Sequence, residues 1–394
     1  VPSAALAMAR RSDFEGRLLA ILEPGIPRGR LTRWRAAGMA AAFLVAVMPL
    51  AAMVPGGGAE AGALNPLSQG VPPTAPEQGT QSPGAVTVLI ETLGDANASV
   101  RIAAINSLAA LEDPRAIAAL AKALREDSDA RVREAAAWAL GEIDDSRAVP
   151  HLIEALKTER ASTVREKIVR SLGEIDDPSA VNGIAAVVKD PSVAVRRAAV
   201  WALGELEEPS AVTALLGMVR DDDAEVRKHT AEALGQLESP SAIDALTVLT
   251  RDADAEVRAA AVNALGQLED MRTLGALVAA LKDADPDVRS QAADAIHSID
   301  GIKSAPRALI DALADPNREV RKSAAHSLGG IGDEAAVPGL KRLTSDTDAE
   351  VRRSAAESLS EIGGAEAITA LMGLLKDLDP EIRRIAAEAL GKRR

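Results

Sequence analysis

The stretch DADAEVRAAAVNALGQLED, residues 252–270, stands almost unchanged at two other places, as DDDAEVRKHTAEALGQLES at 221–239 and as DTDAEVRRSAAESLSEI at 346–362. A valine, or once an isoleucine, followed by arginine recurs every 31 or 32 residues, at positions 100, 132, 164, 195, 226, 257, 288, 320, 351 and 382. A period of this size is typical of a stack of repeated structural units. The sequence therefore predicts ten units over 86–394, and we number positions in each unit from this marker residue.

Each unit has the pattern of two short helices joined by turns. The residue three before the marker is Asp, Asn or Ser in nine units, as Asp254 is for Val257, and these residue types cap a first helical turn. The marker, alanine at +3 or +4 and leucine at +8 share one helical face, which predicts a helix here, called helix B. Glycine at +9, as at Gly266, predicts a left-handed helix end. Proline further on, as at Pro240, predicts the start of the next short helix, called helix A.

An acidic residue five before the marker and an arginine directly after it occur in all ten units. A catalytic pair is needed only once, so a pair present ten times is architectural. We expect a ladder of carboxylate–guanidinium hydrogen bonds that ties the turn between helices A and B to helix B of the same or a neighbouring unit. Asp252, Arg258, Asp283 and Arg289 are the members of this ladder in two consecutive units.

The composition excludes several kinds of chemistry. The chain has no cysteine, which excludes disulfides, thiolate catalysis and cysteine-ligated metals. Its net charge is −13, with the acidic excess in the repeats, which argues against a nucleic-acid-binding surface. The sequence contains no H-E-x-x-H motif and no serine-centred nucleophile elbow. We therefore predict no catalytic, cofactor-binding or metal-ligating residue in this chain.

The repeated pattern D-x-D-x-x-V-R-x-x-A-A-x-A-L-G-x-[IL] over 86–394 resembles HEAT-like repeats of the bacterial type first described in phycobilin lyases. This resemblance implies an all-α, right-handed α-solenoid of about ten helical hairpins. Most proteins with such repeats are interaction scaffolds, so the resemblance implies one or more protein partners. A phycobilin lyase-like enzyme is an alternative that the repeat family alone suggests.

The N-terminal part divides into three segments. Residues 36–54 are uncharged and mostly apolar, a length that can span a bilayer, and an arginine cluster precedes them. The positive-inside rule then predicts that 1–35 are cytoplasmic, that 36–54 form a transmembrane helix in the inner membrane, and that the repeats are periplasmic. Residues 55–85, rich in proline and glycine, are predicted to be a disordered linker. A cleaved signal peptide with an A-x-A site at 59–61 is the alternative.

The segment ALAMARRSDFEGRLLAILEP (5–24), followed by arginines and the apolar span, resembles the end of the catalytic domain in membrane-embedded zinc metallopeptidases of the beta-lactam-sensing antirepressor type. In those proteins a final membrane helix leads to an extracytoplasmic sensor domain, whose place the repeats would take. The resemblance implies that the chain is the C-terminal part of such a peptidase, with its catalytic motif upstream. The residues themselves favour a non-catalytic, membrane-anchored scaffold or sensor.

The variable positions +2 and +6 of helix B indicate where a partner binds. Most units carry charges there, and intrahelical ion pairs are expected for Lys228/Glu232, Arg353/Glu357 and Arg384/Glu388. Units 2–4 differ, because Trp138, Arg170 and Trp201 occupy +6, and tryptophan and arginine are enriched in binding hot spots. With Glu134 and Arg197 at +2, they form the candidate protein-binding surface if the B helices line the concave side. The alternative is that each tryptophan only covers an alanine-rich core.

Overall fold

The computed structural model describes residues 83–299 and 301–391, and in these ranges the chain forms twenty α-helices and no strand. The helices alternate as A and B helices, so the predicted all-helical stack of ten hairpins is confirmed. The A helices are α1 Pro83–Thr92, α3 Ile117–Glu126, α5 Val149–Thr158, α7 Val181–Ala185, α9 Val212–Leu216, α11 Ile243–Leu249, α13 Leu274–Ala280, α15 Arg307–Ala312, α17 Val337–Leu343 and α19 Gly364–Leu374. The B helices are α2 Ala98–Ala110, α4 Ala130–Glu142, α6 Ser162–Glu174, α8 Val193–Glu205, α10 Ala224–Gln236, α12 Ala255–Gln267, α14 Pro286–His297, α16 Arg318–Ile331, α18 Ala349–Ile362 and α20 Pro380–Gly391.

The predicted cytoplasmic segment 1–35, the predicted span 36–54 and most of the predicted linker 55–85 lie outside the described residues. Helix α1 begins at Pro83, slightly before the predicted start of the repeats at residue 86. In the part of the chain that the structure describes, no helix is both long enough and apolar enough to cross a membrane.

The B helices begin where the cap residues predict. In eight of the ten B helices of the described part, the side chain at −3 accepts a hydrogen bond from a first-turn N–H. Asp254, for example, accepts from the N–H groups of Glu256 and Val257. Ala161 has no acceptor, as expected, but Ser192 makes no cap hydrogen bond either, so that predicted cap is wrong.

The prediction of a left-handed helix end at the +9 glycine is wrong. Gly266 lies inside α12, and the left-handed residue comes at +12, where φ is 49° at Glu269. The glycine is needed for close packing, since a Cβ on Gly266 would lie only 2.8 Å from the Cβ of Ala295 in the next B helix. Helices packed this closely leave no room for a side chain at the contact.

The core runs along the stack between the two rows of helices. The marker and the +8 residue are buried, as at Val257 and Leu265, except that the marker Val100 of the first unit is exposed and Leu390 of the last unit is half-buried. Each B helix packs along the B helix of the next unit, whereas successive A helices touch only slightly. The variable positions +2 and +6 stand on these B helices.

Candidate protein-binding surface

The repeated Asp and Arg residues join neighbouring units. Arg258 donates from Nε and Nη2 to the two carboxylate oxygens of Asp283 in the next unit, at 2.8 Å each. Its Nη1 donates to the backbone carbonyls of Asp252 and Ala253 in its own unit. Within residues 83–299 and 301–391 this arrangement forms nine rungs: Arg101–Asp127, Arg133–Glu159, Arg165–Asp190, Arg196–Asp221, Arg227–Asp252, Arg258–Asp283, Arg289–Asp315, Arg321–Asp346 and Arg352–Asp377.

The rungs keep their carboxylates ionised. Burial raises the pKa of Asp283, but the hydrogen bonds from Arg258 and from the N–H of Asp285 outweigh it, so the pKa lies below its usual value. For Asp252 the hydrogen bond from Arg227 is the main cause of a lowered pKa. Since both partners of each rung are engaged, these residues hold the stack together and are not free to bind a ligand.

Trp138, Arg170 and Trp201 occupy +6 of α4, α6 and α8, and all three side chains are half-buried. We call them the tryptophan stripe. The guanidinium carbon of Arg170 lies 5.8 Å from the ring centroid of Trp201, a cation–π contact, and its Nε donates to Glu166 at 3.1 Å. The ring of Trp201 also lies over Gly173, where a Cβ would be 3.1 Å from Cζ3 of the ring. Each tryptophan thus covers part of the core and leaves the remainder of its ring exposed.

The two predicted +2 residues have different surroundings. Arg197 donates from Nε and Nη2 to Asp223, the cap residue of α10, at 3.0 and 2.8 Å. It therefore contributes to the contact between units 4 and 5 and is not a free group for a partner. Glu134 is half-buried on α4, one helical turn before Trp138.

Only one of the three predicted intrahelical ion pairs forms. Arg384 pairs with Glu388, but Lys228 pairs with Glu256 of the next unit at 2.6 Å. Arg353 pairs with Glu350 on its own helix at 3.2 Å. The prediction for Lys228 fails because the closely stacked next B helix offers Glu256 as a partner. The prediction for Arg353 fails because Glu350 lies one turn earlier on the same helix.

The sequence interpretation missed a row of carboxylates beside the stripe. Glu142, Glu174 and Glu205 are the last residues of α4, α6 and α8, each four positions after a stripe residue. We call them the acidic edge. The Glu174 residue is exposed as a whole, but its carboxylate lies over Gly141, where Oε2 would be 2.9 Å from a Cβ. This enclosure, and secondarily the charge of Glu142, raise the pKa of Glu174.

At the junction of units 7 and 8 the +9 residue is histidine, where most units have glycine. His297 replaces glycine at +9, and its ring fills the space where a Cβ on Gly330 would lie. Its ring centroid is 5.1 Å from that of His326, with the two planes tilted by 58°. The described residues contain no cluster of three or more His, Asp or Glu side chains arranged to hold a metal ion.

Stacked helical hairpins that each contact their neighbours define an α-solenoid. HEAT repeats match over residues 86–173, 162–234, 181–252, 247–309 and 306–391, and the chain therefore belongs to the HEAT repeat family. The fold supports a role in protein interactions, which is general among HEAT repeat proteins. No curated protein matches the sequence.

Three solved structures are similar to this chain at low sequence identity. A complex in which Kap95p binds RanGDP matches with a TM-score of 0.55 and 15% identity, over 77% of this chain and 50% of that chain. An engineered protein matches with a TM-score of 0.46 and 24% identity, over 78% of this chain and 98% of that one. Human deoxyhypusine hydroxylase in complex with glycerol matches with a TM-score of 0.30 and 22% identity, over 62% of this chain and 95% of that one.

Proposed function

We propose that the chain is a membrane-anchored protein-interaction module that contacts its partner through the tryptophan stripe. The observation that carries this proposal is the position of the tryptophans. Only three occur in 394 residues, and two of them lie at the same position of B helices two units apart, with Arg170 between them. Partly exposed tryptophan and arginine side chains supply a large contact area and dominate binding energies where they meet a partner.

The ladder supports this role by holding the stripe in place. Arg133, Arg165 and Arg196 join the units that carry the stripe to the units that follow them. A surface fixed before binding loses less conformational entropy when a partner docks, so rigid stacking favours affinity.

Site-specific photo-crosslinking tests the stripe. A photoreactive amino acid replaces Trp138 or Arg170 in the full chain expressed in its native cells, and Val248, an exposed residue on an A helix, serves as the control position. We expect one adduct of the same mass from positions 138 and 170 and none from 248. The proposal fails if the two stripe positions give no common adduct or if position 248 gives the same one.

The membrane anchor and the periplasmic location are proposed from residues 36–54 and the arginines before them. The absence of cysteine makes a clean topology test possible. Single variants Ser12→Cys and Ser241→Cys are treated with a membrane-impermeant maleimide in intact spheroplasts. We expect labelling at 241 only, and labelling at 12 in intact spheroplasts would reverse the proposed orientation.

A second candidate function rests on the resemblance of residues 5–24 to membrane zinc metallopeptidases. In that case the repeats are the sensor part of a signalling peptidase. The test is the coding sequence upstream of Val1 together with the zinc content of its product. An H-E-x-x-H motif with stoichiometric zinc would establish the peptidase, and an upstream sequence without the motif would remove it.

A further inference from the structure

The carboxylates of the acidic edge lie at the C-terminal ends of their helices, where a negative charge is unfavourable. Glu142, Glu174 and Glu205 each end a B helix, where the helix dipole already carries partial negative charge. The neighbouring units have no acid at this position. Their residues at +10 are Ala110, Gln236, Gln267, Ser298 and Gly330. Unit 9 has a single glutamate at this position, Glu361, so consecutive units with a carboxylate at +10 occur only where the tryptophan stripe lies.

The stack does not require the charges of Glu142 and Glu174. Gln236 and Gln267 bring side chains of the same length to the same place, over Gly204 and Gly235 of the preceding units. Glu142 and Glu174 form no ion pair within the described ranges. The negative charge of Glu142 also disfavours the ionised form of Glu174 and so raises its pKa. The nearby Arg170 is already engaged with Glu166 and Trp201. A cation supplied from outside would relieve this repulsion.

We infer that the tryptophan stripe and the acidic edge together bind a basic, extended peptide segment of the protein partner, with Lys or Arg at the acidic edge and apolar side chains against Trp138 and Trp201. The inference rests on the proposed function and adds the chemistry of the partner. Packed helices lie about 8–10 Å apart. An extended polyproline-type segment repeats every three residues, or about 9 Å, so every third side chain meets a successive unit.

Peptide binding to the full chain in detergent tests the inference. The probes are fluorescein-labelled (Lys-Leu-Pro)₄ and the matched (Glu-Leu-Pro)₄, with fluorescence anisotropy and tryptophan emission as readouts. The variant is E142Q/E174Q/E205Q, which places at +10 the residue that units 5 and 6 carry and so preserves the fold. A control variant, E232Q/E357Q/E361Q, removes the same number of charges from units 5 and 9, including the isolated +10 glutamate Glu361, which has no tryptophan stripe beside it.

We expect the basic peptide to bind the unaltered chain and the acidic peptide not to bind. An exposed ion pair contributes roughly two- to fivefold in affinity, so losing three raises Kd by about tenfold or more. The control variant should stay within about twofold of the unaltered chain. The inference is overturned if the unaltered chain does not bind the basic peptide, if both peptides bind equally, or if the two triple variants behave alike.

The variant W138A/W201A separates this inference from the function on which it rests. Loss of binding in both the tryptophan and the E142Q/E174Q/E205Q variants supports both. If the tryptophan variant loses binding and the glutamine variant does not, the stripe remains a binding surface and the basic-peptide inference fails. If only the glutamine variant loses binding, the stripe makes no contact and the proposed function fails.

Discussion

Removing Arg258 is expected to destabilise the junction between units 6 and 7 by about 2–4 kcal/mol. The substitution Arg258→Ala breaks a bidentate pair with Asp283 and two hydrogen bonds to backbone carbonyls. The two side chains are only 15% and 11% exposed, so the remaining carboxylate stays largely desolvated without its main partner. Breaking a buried ion pair costs about 3–5 kcal/mol, and breaking an exposed one costs at most about 1 kcal/mol. The low exposure of this rung places the expected cost nearer to that of a buried pair.

A double-mutant cycle with Asp283→Asn measures the rung itself. Asparagine keeps a side-chain oxygen for the N–H of Asp285, so the cycle isolates the charge and the bidentate contact. We expect a coupling energy of about 1.5–3 kcal/mol, the range for hydrogen bonds to charged groups. A repeat array does not unfold in two states, so native-state hydrogen exchange over α12 and α14 is the appropriate measurement.

Two arginines serve as controls. Arg272 pairs with Asp270 in its own loop and is 63% exposed, so Arg272→Ala should change exchange little. Arg383 makes only the two carbonyl hydrogen bonds in the described part, so its loss should cost less than that of Arg258. A coupling energy below about 0.5 kcal/mol, or an Arg258→Ala effect equal to that of Arg272→Ala, would refute the ladder as a source of stability.

Four further outcomes follow from the geometry. Gly266→Ala should destabilise α12 by about 1–3 kcal/mol through overpacking. Gly275→Ala, where a Cβ meets nothing within 4 Å, should stabilise α13 by up to about 1 kcal/mol, and native-state hydrogen exchange measures both effects. Glu269→Gly should stabilise the end of α12 by roughly 0.5–1 kcal/mol by relieving a φ of 49°, and unchanged hydrogen exchange in α12 would contradict this. Glu174→Gln should slow native-state hydrogen exchange in α6 at pH 7, because a raised pKa means that folding disfavours the ionised form. The lowered pKa of Asp283 stabilises the folded chain above pH 3.8, the pKa of an ordinary aspartate, and this stability is lost as the pH falls through the lower folded pKa. Arg258→Ala should therefore weaken the acid dependence of unfolding followed by circular dichroism.

The sequence predicts the stack well because the features that build it are local. The caps, the buried marker and the +8 leucine each depend on residue type and spacing within one helix. Contacts between units are harder to predict, since one pattern is compatible with several partners. The +9 glycine has the sequence signature of a helix end, but the distance to Ala295 shows that it is a packing residue. Lys228 has a suitable carboxylate four residues on, yet it pairs with Glu256 across the helix contact.

Comparing the ten units of this chain distinguishes residues that stacking requires from residues that stacking does not require. A residue present in nearly every unit, such as the ladder arginine, is explained by stacking. In units 2–4 two positions one helical turn apart depart together, with Trp, Arg and Trp at +6 and glutamate at +10. Units 5 and 6 adopt the same hairpins with Glu232 and Asn263 at +6 and glutamine at +10, so stacking requires neither departure. We infer a ligand that spans three adjacent units because both positions change together there.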